Sequence, residues 1–353
     1  MNLEILGWSR RFQTLYIPYD RQHHEPGRVV RVDRGVVVAE TEGGRRTAVV
    51  PSALDPSGEP GPPAVGDWVV LDVGSDTVVV HAVLPRAGAL VRRRPGAADA
   101  AQVVAANIDV VFVVESVERG PNPRRIERAV AMAWDAGATP VVLLTKCELS
   151  DDVDGAVGLA RAGAPFVEVV PLSVVANHGV DEVGRFLTPG TTGVLLGPSG
   201  VGKSTLINRL LGEDRMAVSA VRDGDAKGRH TTTHRELVPV PGGGCVIDTP
   251  GVRELGLWLS ADAVGSAYPE IEAAADGCRF RDCRHRSEPG CAVVAAVEAG
   301  RIDPARLAGY HRLRREAERL EERLDPSRRH EIRARERGFG KMVKQVKRLK
   351  GGG

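Results

Sequence analysis

The stretch Gly197-Pro198-Ser199-Gly200-Val201-Gly202-Lys203-Ser204 decides the fold, because it matches the pattern G-x-x-x-x-G-K-[ST] without a gap. The glycines of this pattern let backbone N–H groups turn toward a β-phosphate, and the lysine reaches the β- and γ-phosphates. The hydroxyl of Ser204 is predicted to bind Mg²⁺. Residues 193–196 predict a strand, and Thr205 to Leu211 predict a helix whose N-terminus faces the anion. This context predicts a nucleotide site in a P-loop α/β domain.

Two further segments of a GTPase site follow this loop. They are Thr231-Thr232-Thr233 and Asp248-Thr249-Pro250-Gly251. Thr231 or Thr232 is predicted to close on Mg²⁺, Asp248 to hold the ion through water, and Gly251 to offer its N–H to the γ-phosphate. The threonines also fit the start of an edge strand, because residues 236–240 look extended. Both interpretations can hold together.

The segments predicted to read guanine come before the phosphate loop, whereas in a Ras-like GTPase they follow it. Thr145-Lys146-Cys147-Glu148 corresponds to [Asn/Thr]-Lys-x-Asp, whose carboxylate accepts hydrogen bonds from guanine. Glu148 keeps the carboxylate but adds a methylene, and the stem of Lys146 is expected to pack over the base. Ser173-Val174-Val175-Ala176-Asn177 is the second segment. A surface loop at a strand end remains the alternative for the first. The order predicts a circularly permuted GTPase domain.

Alternating strands and helices predict a mostly parallel sheet with helices on both faces. Asn122 is a plausible helix N-cap, with Pro123 at the first helical position. The predicted strands are 109–114, 140–144, 166–170, 193–196, 236–240 and 245–247, and the predicted helices are 123–136, 152–162, 180–187 and 205–211. Beyond Gly256 the strands are predicted to stop.

The N-terminal region has a different pattern. Residues 1–24 predict a polar, partly disordered arm. Five short β-branched runs (28–32, 35–39, 47–50, 67–72 and 77–83) predict a small closed barrel, best matched by an OB-fold. Such barrels bind single-stranded nucleic acid, here through phosphate contacts by Arg28, Arg31, Arg34, Arg45 and Arg46. A purely structural barrel is the alternative. Residues 92–96 predict a linker.

Three of the five cysteines lie close to a histidine in the sequence. This pattern predicts a metal site rather than disulfides, and it indicates a reducing cytosol. Cys278, Cys283, His285 and Cys291 form a complete tetrahedral set for one structural Zn²⁺, with no open position. Free buried cysteines are the alternative. Four intervening residues, Arg279, Arg281, Arg284 and Arg286, are expected to face RNA phosphate. Cys147 and Cys245 are interpreted as core or near-core thiols.

Charge is unevenly distributed along the 353 residues. The net charge is +2, but residues 301–350 hold 17 Lys or Arg and 8 Asp or Glu, a local +9 that leaves −7 elsewhere. This asymmetry predicts a polyanionic partner, with a solvated charged helix as the alternative. Neither a membrane span nor a signal peptide is predicted, so a cytoplasmic protein is expected.

Several motifs together resemble one family. These are the barrel, the reversed motif order, 228–233, 248–254 and Cys278-x4-Cys283-x-His285-x5-Cys291. They are similar to the circularly permuted, small-ribosomal-subunit-dependent GTPases, RsgA or YjeQ, over about residues 27–310. The resemblance implies a late maturation factor of the small subunit that hydrolyses GTP when docked there and contacts rRNA. Glu148 in place of Asp is the one clear departure.

The predicted architecture has five parts: an arm (1–26), an OB-fold barrel (27–94), a circularly permuted α/β P-loop GTPase domain (95–257), an α-helical zinc-binding domain (258–340) and a basic tail (341–353). Val252 occupies the position of the water-orienting Gln of Ras-like enzymes and has no polar group. His230 is the candidate for the missing group, and the resemblance points to the same position. Contact with RNA or solvent is its alternative role.

Three functions remain open from the residues. The first is GTP hydrolysis to GDP and phosphate, gated by rRNA contact. The second is a nucleotide-gated RNA-binding assembly module in which hydrolysis only resets binding. An ATP-dependent P-loop enzyme is the third, and Lys146 with Glu148 disfavours it. A monomer is expected.

Overall fold

A computed structural model of the chain describes residues 2–52, 54, 61–93, 101–213, 235–248 and 259–324. The chain divides into two units. One takes residues 1–92 and 102–257, and the other takes residues 93–101 and 258–353. The first unit therefore contains the predicted barrel together with the predicted nucleotide domain, and the second contains the cysteine cluster.

Five of the described strands close into a barrel. They are β1 (His24–Asp33), β2 (Val36–Thr41), β3 (Gly44–Val49), β4 (Trp68–Asp72) and β5 (Val79–Val83). Strands β1, β2 and β3 pair antiparallel, β3 pairs parallel with β5, and β4 closes the ring by pairing with β5 and β1. Alternate apolar residues such as Val29, Val37 and Val69 fill the interior. This closed order confirms the predicted OB-fold.

The prediction of a partly disordered arm is wrong for the described N-terminal residues. Residues Arg10–Tyr16 form helix α1, and a 3₁₀ turn follows at Ile17–Tyr19. Leu3, Leu6 and Phe12 are buried. The ring of Trp8 lies 4.7 Å, centroid to centroid, from that of Trp68 on the barrel. Charged and polar residues between these apolar side chains gave the segment its polar pattern.

The predicted phosphate contacts of the barrel arginines need correction at Arg28. Its side chain is 1% exposed, so it cannot meet an external phosphate. Three of the others are more exposed and form ion pairs on the barrel surface: Arg31 with Asp33, Arg45 with Glu40, and Arg46 with Glu25. Arg34 is exposed.

The nucleotide domain is built on six strands in the order β10-β9-β8-β11-β13-β12. They are β8 (Val110–Ser116), β9 (Thr139–Thr145), β10 (Glu168–Pro171), β11 (Thr192–Leu196), β12 (Glu236–Pro239) and β13 (Cys245–Asp248). All pair in parallel except β12, which runs antiparallel to β13. Strand β8 is buried along its whole length, as expected for a central strand covered on both faces. The predicted mostly parallel sheet is confirmed.

Four helices accompany this sheet: α2 (Pro123–Asp135), α3 (Val153–Gly163), α4 (Val180–Gly184) and α5 (Lys203–Leu211). The side chain of Asn122 accepts hydrogen bonds from the N–H groups of Arg124 and Arg125, which confirms the predicted cap. One core cluster joins Phe112 of β8 to Val183 of α4 and Leu206 of α5. Helices α2 and α3 pack on each other and on β8, β9 and β10.

The predicted linker at 92–96 is wrong at its first two residues. They end strand β6 (Ala89–Arg93), which pairs with β7 (Ala101–Ala106). The Nε and Nη2 atoms of Arg92 each lie 3.0 Å from Oε1 of Gln102 across this pair. Residues 94–96 lie outside the described ranges.

The barrel meets the nucleotide domain around the buried guanidinium of Arg28. Its Nη1 donates to the carbonyl oxygen of Leu6 in the arm at 3.1 Å. Its Nη2 donates to the carbonyl of Asn107 at 3.0 Å and lies 3.3 Å from Oγ1 of Thr192, at the start of β11. The cation also sits 5.2 Å from the ring centroid of Trp68. Burial lowers the pKa of Arg28 to about 10, so the group remains a cation at neutral pH.

The second unit is helical in its described part. It contains α6 (Ala261–Ser266), α7 (Pro269–Ala275), α8 (Ala292–Glu298) and α9 (Pro304–Leu324). Its core includes Tyr268, Ile271, Val293 and Leu313. Within residues 259–324 no strand is found, as predicted.

None of the described helices is long and apolar enough to cross a bilayer.

We expect Arg28→Ala to lower the free energy of unfolding by about 3 kcal/mol, because buried carbonyl groups lose their donors. Denaturant unfolding followed by tryptophan fluorescence measures this, since Trp8 and Trp68 lie beside the site. Arg31→Ala on the same strand is the matched control and should change stability by less than about 0.5 kcal/mol, because its ion pair is exposed. Equal losses in the two variants would contradict the central role of Arg28.

Candidate functional site

The phosphate loop lies between β11 and α5, at the carboxyl end of the central strand. The backbone conformation of the loop and its close contacts require glycine at three positions. A Cβ on Gly197 would lie 2.3 Å from the carbonyl oxygen of Val114. Gly200 and Gly202 have φ of 82° and 94°, the left-handed region that favours glycine. Gly202 is also the N-cap of α5, so the loop and the helix end together direct N–H groups at one anion site.

Lys203 is the first residue of α5, and its side chain reaches back over the loop. Its Nζ donates to the carbonyl oxygens of Gly197 and Pro198, both at 2.7 Å. The next two residues, Ser204 and Thr205, occupy the first turn and are half-buried. The ammonium group and the Ser204 hydroxyl are therefore both at the mouth of the loop, where phosphate oxygens and a hard cation would bind.

The first predicted base-reading segment is tied directly to this loop. Thr145 ends strand β9, and its Oγ1 donates to the carbonyl of Val201 at 2.5 Å. The same hydroxyl lies 3.1 Å from the carbonyl of Glu115 at the end of β8. Thr145 is 1% exposed. A threonine at this position thus connects three segments, a role that the motif pattern did not predict.

The residues after Thr145 leave the sheet in a tight turn. Lys146 has φ of 61°, and residues 147–149 form a 3₁₀ turn. The Nζ of Lys146 forms an ion pair with Oε2 of Glu118 at 2.6 Å. The side chain of Glu148 is exposed. The Sγ of Cys147 donates to the carbonyl of Leu144 at 3.2 Å, and burial raises the pKa of this half-buried thiol, which suits the predicted near-core position.

The second predicted base-reading segment forms a closed loop after β10. Ser173 and His178 exchange two backbone hydrogen bonds of 2.9 Å. The Oγ of Ser173 accepts from the N–H of Ala176 at 3.0 Å, and Val174 is half-buried. Asn177 has φ of 50°, and its Oδ1 accepts from Nε and Nη2 of Arg209 on α5 at 3.0 and 2.6 Å. This loop is therefore also fastened to the helix of the phosphate loop.

These segments share one edge of the sheet. They follow the carboxyl ends of β9, β10 and β11, where open α/β sheets bind their ligands. Asp248 ends the neighbouring strand β13, is half-buried, and pairs in register with Glu236. The remaining predicted catalytic residues, His230, Thr231, Thr232 and Gly251, lie outside the described ranges.

A separate cluster in the second unit brings together the predicted metal ligands. The donor atoms of Cys278, Cys283, His285 and Cys291 all lie within 4.8 Å of one another. The Sγ atoms of Cys278 and Cys291 are 3.9 Å apart, and each lies 3.6 Å from Nδ1 of His285. A tetrahedral ion with Zn–S of about 2.3 Å and Zn–N of about 2.0 Å requires edges of about 3.8 Å and 3.5 Å. The spacings among Cys278, His285 and Cys291 fit such an ion, and the Sγ of Cys283 lies within 4.8 Å of them.

The chain matches one family of known proteins over most of its length. A family model described as RsgA GTPase matches residues 83–258. The small ribosomal subunit biogenesis GTPase RsgA of Opitutus terrae is 43% identical over 339 residues, which cover 92% of this chain and 92% of that protein. The protein with the same description from Streptomyces coelicolor is 42% identical over 357 residues, which cover 99% of this chain and 96% of that protein.

The chain belongs to the RsgA GTPase family.

Solved structures agree. YjeQ from Thermotoga maritima matches with a TM-score of 0.64 at 26% identity, covering 83% of this chain and 98% of that one. YloQ, described as a circularly permuted GTPase, matches with a TM-score of 0.61 at 22% identity, and the match covers 85% of this chain and 97% of that one. The YloQ match bears on the fold alone. Together these matches confirm the predicted resemblance to RsgA and the circularly permuted fold.

One carboxylate holds the backbone on both sides of His285 in the candidate metal cluster. Oε1 of Glu288 accepts from the N–H of Arg284 at 3.1 Å, and its Oε2 accepts from those of Arg286 and Ser287 at 2.8 and 3.1 Å. These bonds, that of Arg286 foremost, lower the pKa of Glu288 to about 2. They flank His285, whose φ of 56° is unusual for a non-glycine residue.

A second residue supports His285 from α9. The ring Nε2 of His311 lies 3.1 Å from the carbonyl oxygen of His285. The four arginines between the ligands are exposed, as their predicted role requires. Sequence reasoning missed both Glu288 and His311, because neither belongs to the ligand pattern. The only signal for Glu288 was its place in the short segment between two ligands.

We expect Cys283→Ser to abolish stoichiometric metal binding, because the cluster loses one of three thiolates from a closed tetrahedral set. Metal analysis of the purified protein, with thiol titration before and after chelation, measures this. Cys147→Ser is the control and should keep full metal content, since Cys147 lies outside the cluster. Wild-type protein without bound metal, or equal metal content in both variants, would contradict the site.

Proposed function

We propose that the protein binds GTP with Mg²⁺ and hydrolyses GTP as a late assembly factor of the small ribosomal subunit, with hydrolysis stimulated by docking on that subunit and its rRNA. The observation that carries this proposal is the hydrogen bond from Thr145 to the carbonyl of Val201. It joins the base-reading segment to the phosphate loop across a permuted chain. Family membership supports the same reaction.

Each segment then has a defined task in the nucleotide complex. The loop of residues 197–205 holds the α- and β-phosphates through its N–H groups, of which Pro198 has none, and Lys203 reaches the β- and γ-phosphates. Ser204, Asp248 and one of Thr231 or Thr232 hold Mg²⁺, while Gly251 donates its N–H to the γ-phosphate. Guanine lies between Lys146 and the loop of Ser173 and Val174, with Glu148 accepting from its edge.

Hydrolysis requires a group that orients the attacking water. Val252 supplies none. His230 would accept a hydrogen bond from water through a neutral imidazole once docking orders the site. This arrangement ties catalysis to the ribosomal partner, and the free protein should therefore be a slow enzyme.

The rRNA contact is proposed to lie on basic surfaces. The exposed arginines 279, 281, 284 and 286 surround the metal cluster, and residues 301–350 carry a charge of +9. We assign the metal as one structural Zn²⁺ per chain, because three thiolates and one imidazole in a closed set suit this ion. The protein is expected to act in the cytoplasm as a monomer.

The central test is the GTP hydrolysis rate with and without purified small ribosomal subunits. The free protein should turn over at about 10⁻⁴ to 10⁻² s⁻¹, the range of GTPases without an optimal transition-state group. His230→Ala should lower the stimulated rate at least about tenfold, with nucleotide and subunit binding intact. Unchanged stimulation would exclude His230 as the group that orients the attacking water. A rate that subunits do not raise, with GTP-dependent subunit binding intact, would favour a binding module that hydrolysis only resets.

Guanine reading is tested separately at Glu148. Glu148→Ala should cost about 2 kcal/mol of GTP affinity, because a charged acceptor at the base edge is lost. Glu148→Asp restores the carboxylate of the family pattern and should bind at least as well as wild type. Competition titrations of GTP against ATP measure both. An Ala variant that still discriminates fully between the two nucleotides would contradict this assignment.

A further inference from the structure

The side chain of Lys146 is held by a carboxylate from outside the base-reading motifs. Its Nζ lies 2.6 Å from Oε2 of Glu118, and the two side chains are 27% and 44% exposed. The backbone of Lys146 is set at both ends, since Thr145 is bonded to the phosphate loop and residues 147–149 form a 3₁₀ turn. The ion pair thus fixes the remaining freedom of the lysine, the torsions of its four-carbon stem.

Glu118 reaches this position from the neighbouring strand. It lies in the 3₁₀ turn Val117–Arg119 directly after β8, and β8 stands between β9 and β11 in the sheet. The hydrogen bond from Lys146 lowers the pKa of the Glu118 carboxyl below its usual value, so the carboxylate is ionised at neutral pH. The pair therefore connects the ends of two adjacent parallel strands at the edge where the base is expected.

The ion pair between Lys146 and Glu118 adds little to the stability of the fold, because exposed ion pairs contribute little to folding. It can contribute more to ligand binding. A free lysine stem loses rotamer freedom when a ligand packs on it, and a stem already held in one conformation avoids that loss at binding. The methylene groups of such a stem present a flat apolar surface to a ring.

We propose that Glu118 is a positioning residue of the nucleotide site, which holds the Lys146 stem as a wall against one face of the purine. This inference rests on the proposed guanine-nucleotide binding at this edge. Glu118 acts on the face of the base, whereas Glu148 acts on its edge. A contact with the face is insensitive to ring substituents, so Glu118 should influence guanine and hypoxanthine nucleotides equally.

The experiment uses the full chain and titrates GDP and IDP, which differ only in the exocyclic amine of the base. Glu118→Gln keeps the shape of the side chain but removes its charge, and it should weaken binding of both nucleotides three- to tenfold. The ratio of the two affinities should stay at the wild-type value. With GTP as substrate, KM should rise by the same factor and kcat should be unchanged. Glu148→Ala, by contrast, should change the GDP to IDP ratio.

Two further variants exclude a general effect of charge removal. Glu182→Gln is the matched control, since Glu182 pairs with Arg185 on the surface at 2.7 Å with similar exposure, and it should bind both nucleotides as wild type does. Lys146→Met keeps an apolar stem without the ammonium. In that background Glu118→Gln should have no further effect, because its partner is already gone.

Three results would overturn the inference. They are affinities of Glu118→Gln within twofold of wild type, a loss for GDP without a loss for IDP, and a full effect of Glu118→Gln in the Lys146→Met background. Wild-type protein that binds ADP as tightly as GDP would overturn the proposed function itself, and the inference with it. A thermal midpoint of Glu118→Gln equal to wild type confirms that the measured change belongs to the site.

Discussion

The hydrogen-bonded pairing of β11 with both of its neighbours is the constraint on which the nucleotide site depends. On one side β11 pairs with β8, which begins the half of the domain that carries the base-reading segments. On the other side it pairs with β13, which ends at Asp248. Since the carboxyl ends of parallel strands meet at one edge, these pairings put the phosphate loop between the segments proposed to read the base and Asp248, which is proposed to hold Mg²⁺. Backbone hydrogen bonds set these neighbours, so the order of the strands along the chain can change while the site is kept.

Side-chain bonds between segments make this edge one structure. Thr145 bonds to the phosphate loop, and Arg209 of α5 bonds to Asn177 in the second base-reading loop. Each bond joins residues that are distant in sequence, and each crosses from the base side to the phosphate side. A nucleotide that binds here would therefore meet a base pocket and a phosphate pocket whose separation is already set, which lowers the ordering cost of binding.

The permutation decides where the barrel attaches. Strand β12 lies at the end of the nucleotide sheet beside β13 and pairs with barrel strand β1 through Arg31 and Glu236. Arg28 of the same strand contacts Thr192, which begins the strand that leads into the phosphate loop. The barrel is thus joined to the strands that hold the phosphates and Mg²⁺ in the proposed complex, rather than to the base-reading strands.

Motifs with short, strict spacing were predictable from the sequence. The phosphate loop, the segments proposed to read the base and the proposed metal ligands could each be recognised from a few nearby residues, and the alternating apolar runs predicted the parallel sheet and the OB-fold. The structure alone decided which residues serve these segments from a distance. The sequence predicted Arg28 to lie on the surface, but its side chain is buried where the barrel meets the nucleotide domain. The N-terminal arm was predicted to be partly disordered, but its Leu3 and Leu6 are buried. Glu118 and Arg209 gave no local signal, because their roles depend on which chain segments the fold places beside them, and periodicity along the chain does not record those neighbours.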